Sequence, residues 1–407
     1  MAVRGGARIR TRFLLVVALA LAATLVARGA WAGQGGAPDA IRAAAERDGA
    51  TAGDFLPVAG MRSFARAAGV HEWRFEAVRG PSRFDRIGLE RVAHGKTPLS
   101  DPPAVVLYLP GTFMNGAVAI DDPRYSMPLF MAEHGVDFWS FDYRTHFVPP
   151  ATPPDNLGVM ADWSDDVFLG DIDAAARFVG AATGHRRIFL AGFSRGAEFA
   201  YLFAARYPER VAGLIILDGL MPASDLPGAP APGHYADDVS GTHLTWERRA
   251  ALMRAVIEHP DGPAPIPKFA TARENLEQVV DTADGFFGGH GGLANPLGGF
   301  SDATTLARTL ARYDRYWPAI QDHEQPFAPD VRAALARSAV PVIAFASTNI
   351  GPHWSQGVAA SARAAGGSGA TVTTLAGWGH LDVICGTLAA TQVFAPTLEW
   401  LRRRPTR

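Results

Sequence analysis

The chain of 407 residues has one cysteine, Cys385, so no internal disulfide is open to it. It also lacks metal signatures: there is no His-x-x-x-His on a helical pattern, no cysteine pair and no calcium-loop spacing, and no metal or cofactor is expected. Gly366-Gly367-Ser368-Gly369 is glycine-rich but lacks the strand and helix that flank a phosphate loop. No internal repeat or heptad run is present. Neither sign of charge dominates, with 38 basic against 40 acidic residues, so nucleic acid and anionic membrane are not indicated as partners. Charged residues make up only 19% and apolar ones 48%, which suits a globular protein with a sizeable core. The one N-terminal apolar run, Phe13 to Val26, is too short for a comfortable membrane span. It follows Arg4, Arg8, Arg10 and Arg12 and precedes Ala30-Trp31-Ala32, an A-x-A-like cleavage site. Residues 1–32 therefore read as a secretory signal peptide, which implies export to periplasm or medium after cleavage near Ala32. An uncleaved anchor is the competing reading. Without residues 1–32 the balance becomes 33 basic against 40 acidic residues, or −7.

Residues 33–53 are rich in Gly, Ala and Asp and read as a flexible N-terminus. From residue 54 onward, strand and helix patterns alternate. Eight strands are expected, at 71–78, 86–92, 104–109, 136–142, 187–192, 211–218, 340–346 and 371–375. Several are continuous apolar runs, as in a parallel sheet covered on both faces. Helices are expected at 165–179 and 388–402. The stretch 221–335 breaks the rhythm. It carries helical patterns at 245–258, 270–283 and 302–316, joined by Pro-rich and Gly-rich loops, with no convincing strand. The chain thus divides into a core over 54–220 and 336–407, with 221–335 as a helical insertion.

The chemistry gathers around Leu190-Ala191-Gly192-Phe193-Ser194-Arg195-Gly196-Ala197, a strand running through Gly-x-Ser-x-Gly into an Ala-rich helix. A serine at such a turn is strained, and glycine on either side removes Cβ atoms that would collide. The turn lifts the hydroxyl off the sheet and aims the first helical N–H groups at whatever it attacks. In this context the segment resembles the nucleophile elbow of the α/β-hydrolase superfamily. The resemblance implies a doubly wound, mostly parallel α/β sheet with a helical cap over 221–335. It covers nearly the whole chain after residue 32 in order and spacing. At motif level it covers the elbow, a late histidine loop and the loop after the strand 104–109.

The resemblance implies a chain order of nucleophile, acid, histidine. His380, in Gly377-Trp378-Gly379-His380 just past the last strand, fits the base that takes the proton of Ser194. The position after the strand 340–346 holds no carboxylate and offers Asn349. The end of the strand 211–218 offers Asp218. Either could orient the imidazole, and Asp218 is the better electrostatic partner for an imidazolium. Asp382 reads as a cap for the turn after His380. The oxyanion donors implied are the backbone N–H groups of Arg195 and Thr112, with Phe113 in reserve if the loop is shifted by one. Gly289-His290-Gly291-Gly292 and His94-Gly95 imitate oxyanion loops but stand in the wrong places in the chain.

A serine nucleophile excludes the superfamily's aspartate-nucleophile branches, leaving acyl transfer to water without a cofactor. The leading expectation is an exported serine esterase or lipase acting on a small-molecule acyl ester. Alternatives are a peptidase, amidase or thioesterase, and, more remotely, a non-catalytic binding protein on the same scaffold. Phe113, Met114 and Arg144 are candidate substrate contacts, and Arg144 and His146 have a salt-bridged loop as their alternative reading. Phe286, Phe287, Phe300, Tyr313, Tyr316 and Trp317 would either line the cleft or pack the insertion onto the core. Cys385 reads as a small buried apolar side chain, with a reactive thiol as the alternative.

Overall fold

The computed structural model describes residues 55–95, 104–221, 235–236, 245–281, 298–322 and 329–404. The expected signal peptide, the stretch 33–53, Phe286, Phe287 and the Gly289–Gly292 loop lie outside them. The strands are β1 (Phe55–Phe64), β2 (Ala67–Val78), β3 (Arg86–His94), β4 (Val105–Leu109), β5 (Asp137–Asp142), β6 (Ile188–Phe193), β7 (Val211–Leu217), β8 (Tyr235–Ala236), β9 (Trp317–Pro318), β10 (Val342–Ser347) and β11 (Thr371–Leu375). Nine of them form one sheet in the order β1-β2-β3-β5-β4-β6-β7-β10-β11. The pairs from β1 to β5 are antiparallel, and those from β5 through β11 are parallel.

Every residue of β5, β6 and β10 is buried, which explains the unbroken apolar run of β6 and the apolar stretch Val342 to Ala346 of β10. Helices cover both faces. The helix Asp165–Thr183 starts where the Ser164 hydroxyl accepts from Val167 N–H and stops at Gly184 in the left-handed region (φ 72°). Among the described residues no helix is long and apolar enough to cross a membrane.

Three elements differ from the sequence-based expectation. The edge strand β1 makes nine strands rather than eight. Its pattern is broken by Pro57 and by a register shift between Val58 and Met61, so no period of two runs through it. The helix expected over 302–316 spans only Ala303–Leu310. The chain then leaves it, and Trp317–Pro318 pairs with Tyr235–Ala236 where no strand was expected. The last helix is regular only over Ala395–Arg402 and follows a wide π-type turn at Ala390–Phe394. Pro396 has no N–H to offer that turn's carbonyls.

Because β4, β6, β7, β10 and β11 run parallel, their C-terminal ends share one edge. The loop Pro110–Ala117, Ser194, Asp218, the segment Ser347–Asn349 and the His380 loop each follow one of these strands or end it. Chain order reverses direction around β4 and β6, the position where open α/β sheets form a crevice.

Candidate active site

Ser194 lies between β6 and the helix Arg195–Arg206 at φ 53°, ψ −122°. Positive φ costs a residue with a side chain about 1–2 kcal/mol, so the surroundings must enforce it. Ser194 N–H donates to Leu217 O (3.1 Å), and Ser194 O accepts from Ala197 N–H (2.9 Å). The two glycines of the motif are sterically obligatory. A Cβ on Gly196 would lie 1.9 Å from Leu109 O, and one on Gly192 would lie 2.4 Å from Gly196 O. Gly111 also permits a close approach, since a Cβ there would stand 3.1 Å from Ser194 Cβ.

Asp218 is fully buried and also has positive φ (49°). Its Oδ1 accepts from Ser347 N–H (2.7 Å), and its Oδ2 accepts from the Ser347 hydroxyl (2.6 Å) and from His380 Nδ1 (2.6 Å). Holding Nδ1 as the donor leaves Nε2 as the basic nitrogen of a neutral imidazole. The His380 ring packs against Phe193, the residue before the serine, at 4.6 Å between centroids with the planes tilted by 32°, and Trp354 meets it edge-on at 5.6 Å.

Of the two possible orienters, Asp218 makes the bond to Nδ1. Asn349 grips the histidine loop instead: its Nδ2 donates to Gly377 O (2.9 Å) and its N–H to Trp378 O (3.0 Å). Asp382 reaches further than the turn it was expected to cap. It accepts from the N–H groups of Gly379 (2.7 Å), Gly299 (2.6 Å) and Phe300 (3.0 Å) and from the Ser301 hydroxyl (2.6 Å). Those bonds tie the histidine loop to the segment inserted between β7 and β10.

The remaining donors follow the backbone. Arg195 is the first residue of its helix, so its N–H is one of those left without an intrahelical acceptor. Residues Gly111–Met114 form a turn closed by Met114 N–H to Gly111 O (3.0 Å), which does not use the N–H groups of Thr112 or Phe113. Phe113 takes φ 62° at its third position.

A sequence profile of the α/β hydrolase fold matches residues 104–239, the span holding the loop after β4, the elbow and Asp218. The chain has the α/β-hydrolase fold. Among solved structures, a candidate lipase from Sulfolobus solfataricus superposes with a TM-score of 0.69 at 23% identity, covering 86% of this chain and 99% of its own. A carboxylesterase structure from Nitrososphaera gargenis (14% identity, coverage 80% and 98%) gives a TM-score of 0.42. A monoacylglycerol lipase from Paleococcus ferrophilus (13%, coverage 75% and 96%) gives 0.43. The last two superpose too loosely to carry any argument. A comparison with curated proteins found no match.

On this α/β-hydrolase scaffold the other sequence candidates fall into place or out of it. Arg144 is corrected: it is buried and faces two carboxylates rather than a cleft. Its Nε and Nη2 donate to Asp171 (2.6 and 3.1 Å) and its Nη1 to Asp85 (2.6 Å). His146 Nδ1 donates to Asp314 Oδ1 (3.0 Å). Burial works against its charge, but the carboxylates of Asp142 and Asp314 outweigh it and raise its pKa to about 10. Trp317 packs among Phe113, Tyr143 and Phe168, and Tyr316 donates its hydroxyl to Pro150 O (3.0 Å), so these aromatics fasten the insertion to the core. The Cys385 thiol is buried and pushed up to about 12, chiefly by desolvation, which removes it as a nucleophile at neutral pH.

Beside the turn lies a mostly apolar cavity of about 80 Å³, whose walls include Tyr108, Met114, Phe138, Leu217, Ile384 and Cys385. Met114 joins it to the serine: Met114 Sδ and Ser194 Cβ both lie within 3.4 Å of the Cβ position of Gly111. Phe113 turns its ring to Trp317 instead, and only Met114 of the candidate contacts lines this cavity. The sequence reading did not find Ser347, Asn115 or Asp314. Each matters through partners more than one hundred residues away in the chain, which no local pattern signals.

Proposed function

We propose that the protein is an exported serine hydrolase that cleaves carboxylic esters through an acyl-enzyme. The single observation that carries this reading is the His380 imidazole, bonded at Nδ1 to buried Asp218 and packed against the strand end that presents Ser194 in its strained elbow. His380 Nε2 takes the Ser194 proton as Oγ attacks the ester carbonyl. The oxygen that gains charge is met by the N–H groups of Arg195 and Thr112. The imidazolium then protonates the leaving alkoxide, and the acyl group stays on Ser194. A water gives its proton to His380, attacks the acyl carbon and releases the carboxylic acid, returning the proton to Ser194. The Asp218 carboxylate stabilises the imidazolium at both stages. An ester needs no strong assistance to its leaving group, and nothing in the site calls for a metal or cofactor in this chemistry.

The cavity next to Met114 supports the choice of acyl group. It is small and mostly apolar, which favours a short acyl chain over a long one. Export rests on the basic and apolar pattern of residues 1–32 and is tested by the N-terminal sequence of the secreted protein. Activity is tested on nitrophenyl esters from acetate to palmitate. The wild type should turn over the short members, with Ser194→Ala and His380→Ala reduced to background. Equal turnover by wild type and Ser194→Ala would sink the proposal.

A further inference from the structure

We propose that Asn115 and Asp314 are positioning residues that hold the oxyanion loop in shape, so that the segment inserted between β7 and β10 is part of the catalytic apparatus and not merely a cover. The inference rests on the serine-hydrolase reading above. The loop 110–117 has a weak point at its crown, where Phe113 adopts φ 62°, a conformation that bulky side chains disfavour. Its two ends are held by the core. Tyr143 donates its hydroxyl to Pro110 O (2.9 Å), and Gly116 N–H donates to Asp142 Oδ1 (2.7 Å).

The crown is held from the inserted segment. Asp314 N–H donates to Phe113 O (2.6 Å), fixing the peptide plane that follows the strained residue. Asn115 Nδ2 reaches across to Arg312 O (2.6 Å) and Asp314 Oδ1 (3.0 Å), while its own Oδ1 accepts from Ala117 N–H (3.2 Å). His146 Nδ1 donates to the same Asp314 oxygen, tying that residue back to the core. The support is itself braced. The buried Arg249 donates to Leu310 O (2.7 Å) and Tyr313 O (3.3 Å), catching the carbonyls at the end of the helix Ala303–Leu310. This bracing is why the chain leaves the helix early: residues 311–314 are spent on reaching the loop.

Without the clamp, Phe113 can relax toward negative φ, turning the peptides on either side of it. The Phe113 N–H turns with them, and the Thr112 N–H, one peptide earlier, loses the Gly111–Met114 turn that fixes it. Oxyanion donors act only when aimed at the oxygen of the transition state, so the loss should fall on kcat and leave substrate affinity nearly intact.

The experiment uses the full-length protein, a short-chain nitrophenyl ester and a trifluoromethyl ketone, which mimics the tetrahedral adduct on serine. Asn115→Ala should lower kcat by about 10- to 100-fold with KM within about threefold, and should weaken ketone binding in step with kcat/KM. Asp314→Ala keeps the main-chain bond to Phe113 O but removes the carboxylate that Asn115 reaches, so kcat should fall in the same direction, and the double variant should lose less than the product of the two because both break the Asn115–Asp314 contact. Asp314→Asn keeps an acceptor oxygen and should stay within about threefold of wild type. If Asn115→Ala melts too early to assay, Asn115→Asp removes the donor at constant size and carries the same expectation. Variants with unchanged kcat, or with lost kcat but unchanged ketone affinity, overturn the clamp. An active wild type alongside them leaves the hydrolase reading standing. A wild type inert to ester, with Ser194 unreactive to fluorophosphonates, overturns both.

Discussion

Replacing Asp218 with asparagine changes one oxygen to an amide nitrogen and inverts the logic of the site. The carboxylate now accepts three hydrogen bonds, two from Ser347 and one from His380 Nδ1. An asparagine can keep its carbonyl toward Ser347 N–H, but its amide then faces two groups that also donate. The Ser347 hydroxyl can rotate. The imidazole can satisfy the amide only by moving its proton to Nε2, the nitrogen that must accept the serine proton. The wrong tautomer and the loss of the buried countercharge together are worth a factor of about 10⁴ in kcat in serine-protease triads of this kind. That factor corresponds to about 5.5 kcal/mol of transition-state stabilisation at 1.4 kcal/mol per decade. KM should change little, since Asp218 is sealed from any substrate. The assay is steady-state ester hydrolysis, with circular dichroism to show that the variant is folded. Because Asn349 bonds the backbone of the histidine loop while Asp218 holds the imidazole, Asn349→Ala should cost far less. A folded Asp218→Asn within tenfold of wild type, or an Asn349→Ala that is the more damaging of the two, would refute the reasoning.

Further outcomes follow from single contacts. Gly196→Ala places a Cβ against the Leu109 carbonyl, with backbone on both sides of the clash, and should yield little folded protein in a soluble-expression and thermal-melt comparison. Glu90 is buried beside Asp142 and Glu72, and burial first, then those carboxylates, raise its pKa well above the usual value. A group with a raised folded pKa contributes its full stability only below its unfolded pKa, and loses it as pH rises through the folded value. Glu90→Gln should therefore melt higher than wild type near pH 8, with the gap closing toward pH 4. Wild type melting higher at pH 8 would contradict this. Ile384→Ala enlarges the cavity next to Met114 and should move the preferred acyl chain longer by one or two carbons, read as the ratio of kcat/KM across the ester series.

The elbow was legible in the sequence because everything it needs is local: two glycines, a strand before and a helix after. His380 was legible from its place in a small-residue loop after the last strand. The choice between Asp218 and Asn349 was not. Both end neighbouring parallel strands, and only their side-chain directions separate them, which a sequence does not record. Arg144 stands at the active-site end of β5, as its position suggested, yet Asp85 and Asp171 come from distant elements to neutralise it. The strand β1 escaped because Pro57 and the shift near Gly60 destroy its alternation. The three long-range contacts at Asn115, Asp314 and Ser347 join residues with no sequence signature of their own, and they reach the loop after β4 and the Asp218 carboxylate.

The most direct test of the central claim is the mass of the intact protein after treatment with a fluorophosphonate, followed by peptide mapping. The account predicts one adduct, on the peptide containing Ser194, absent in Ser194→Ala and formed far more slowly in His380→Ala and Asp218→Asn. No adduct on the folded wild type, or an adduct that persists in Ser194→Ala, would contradict it.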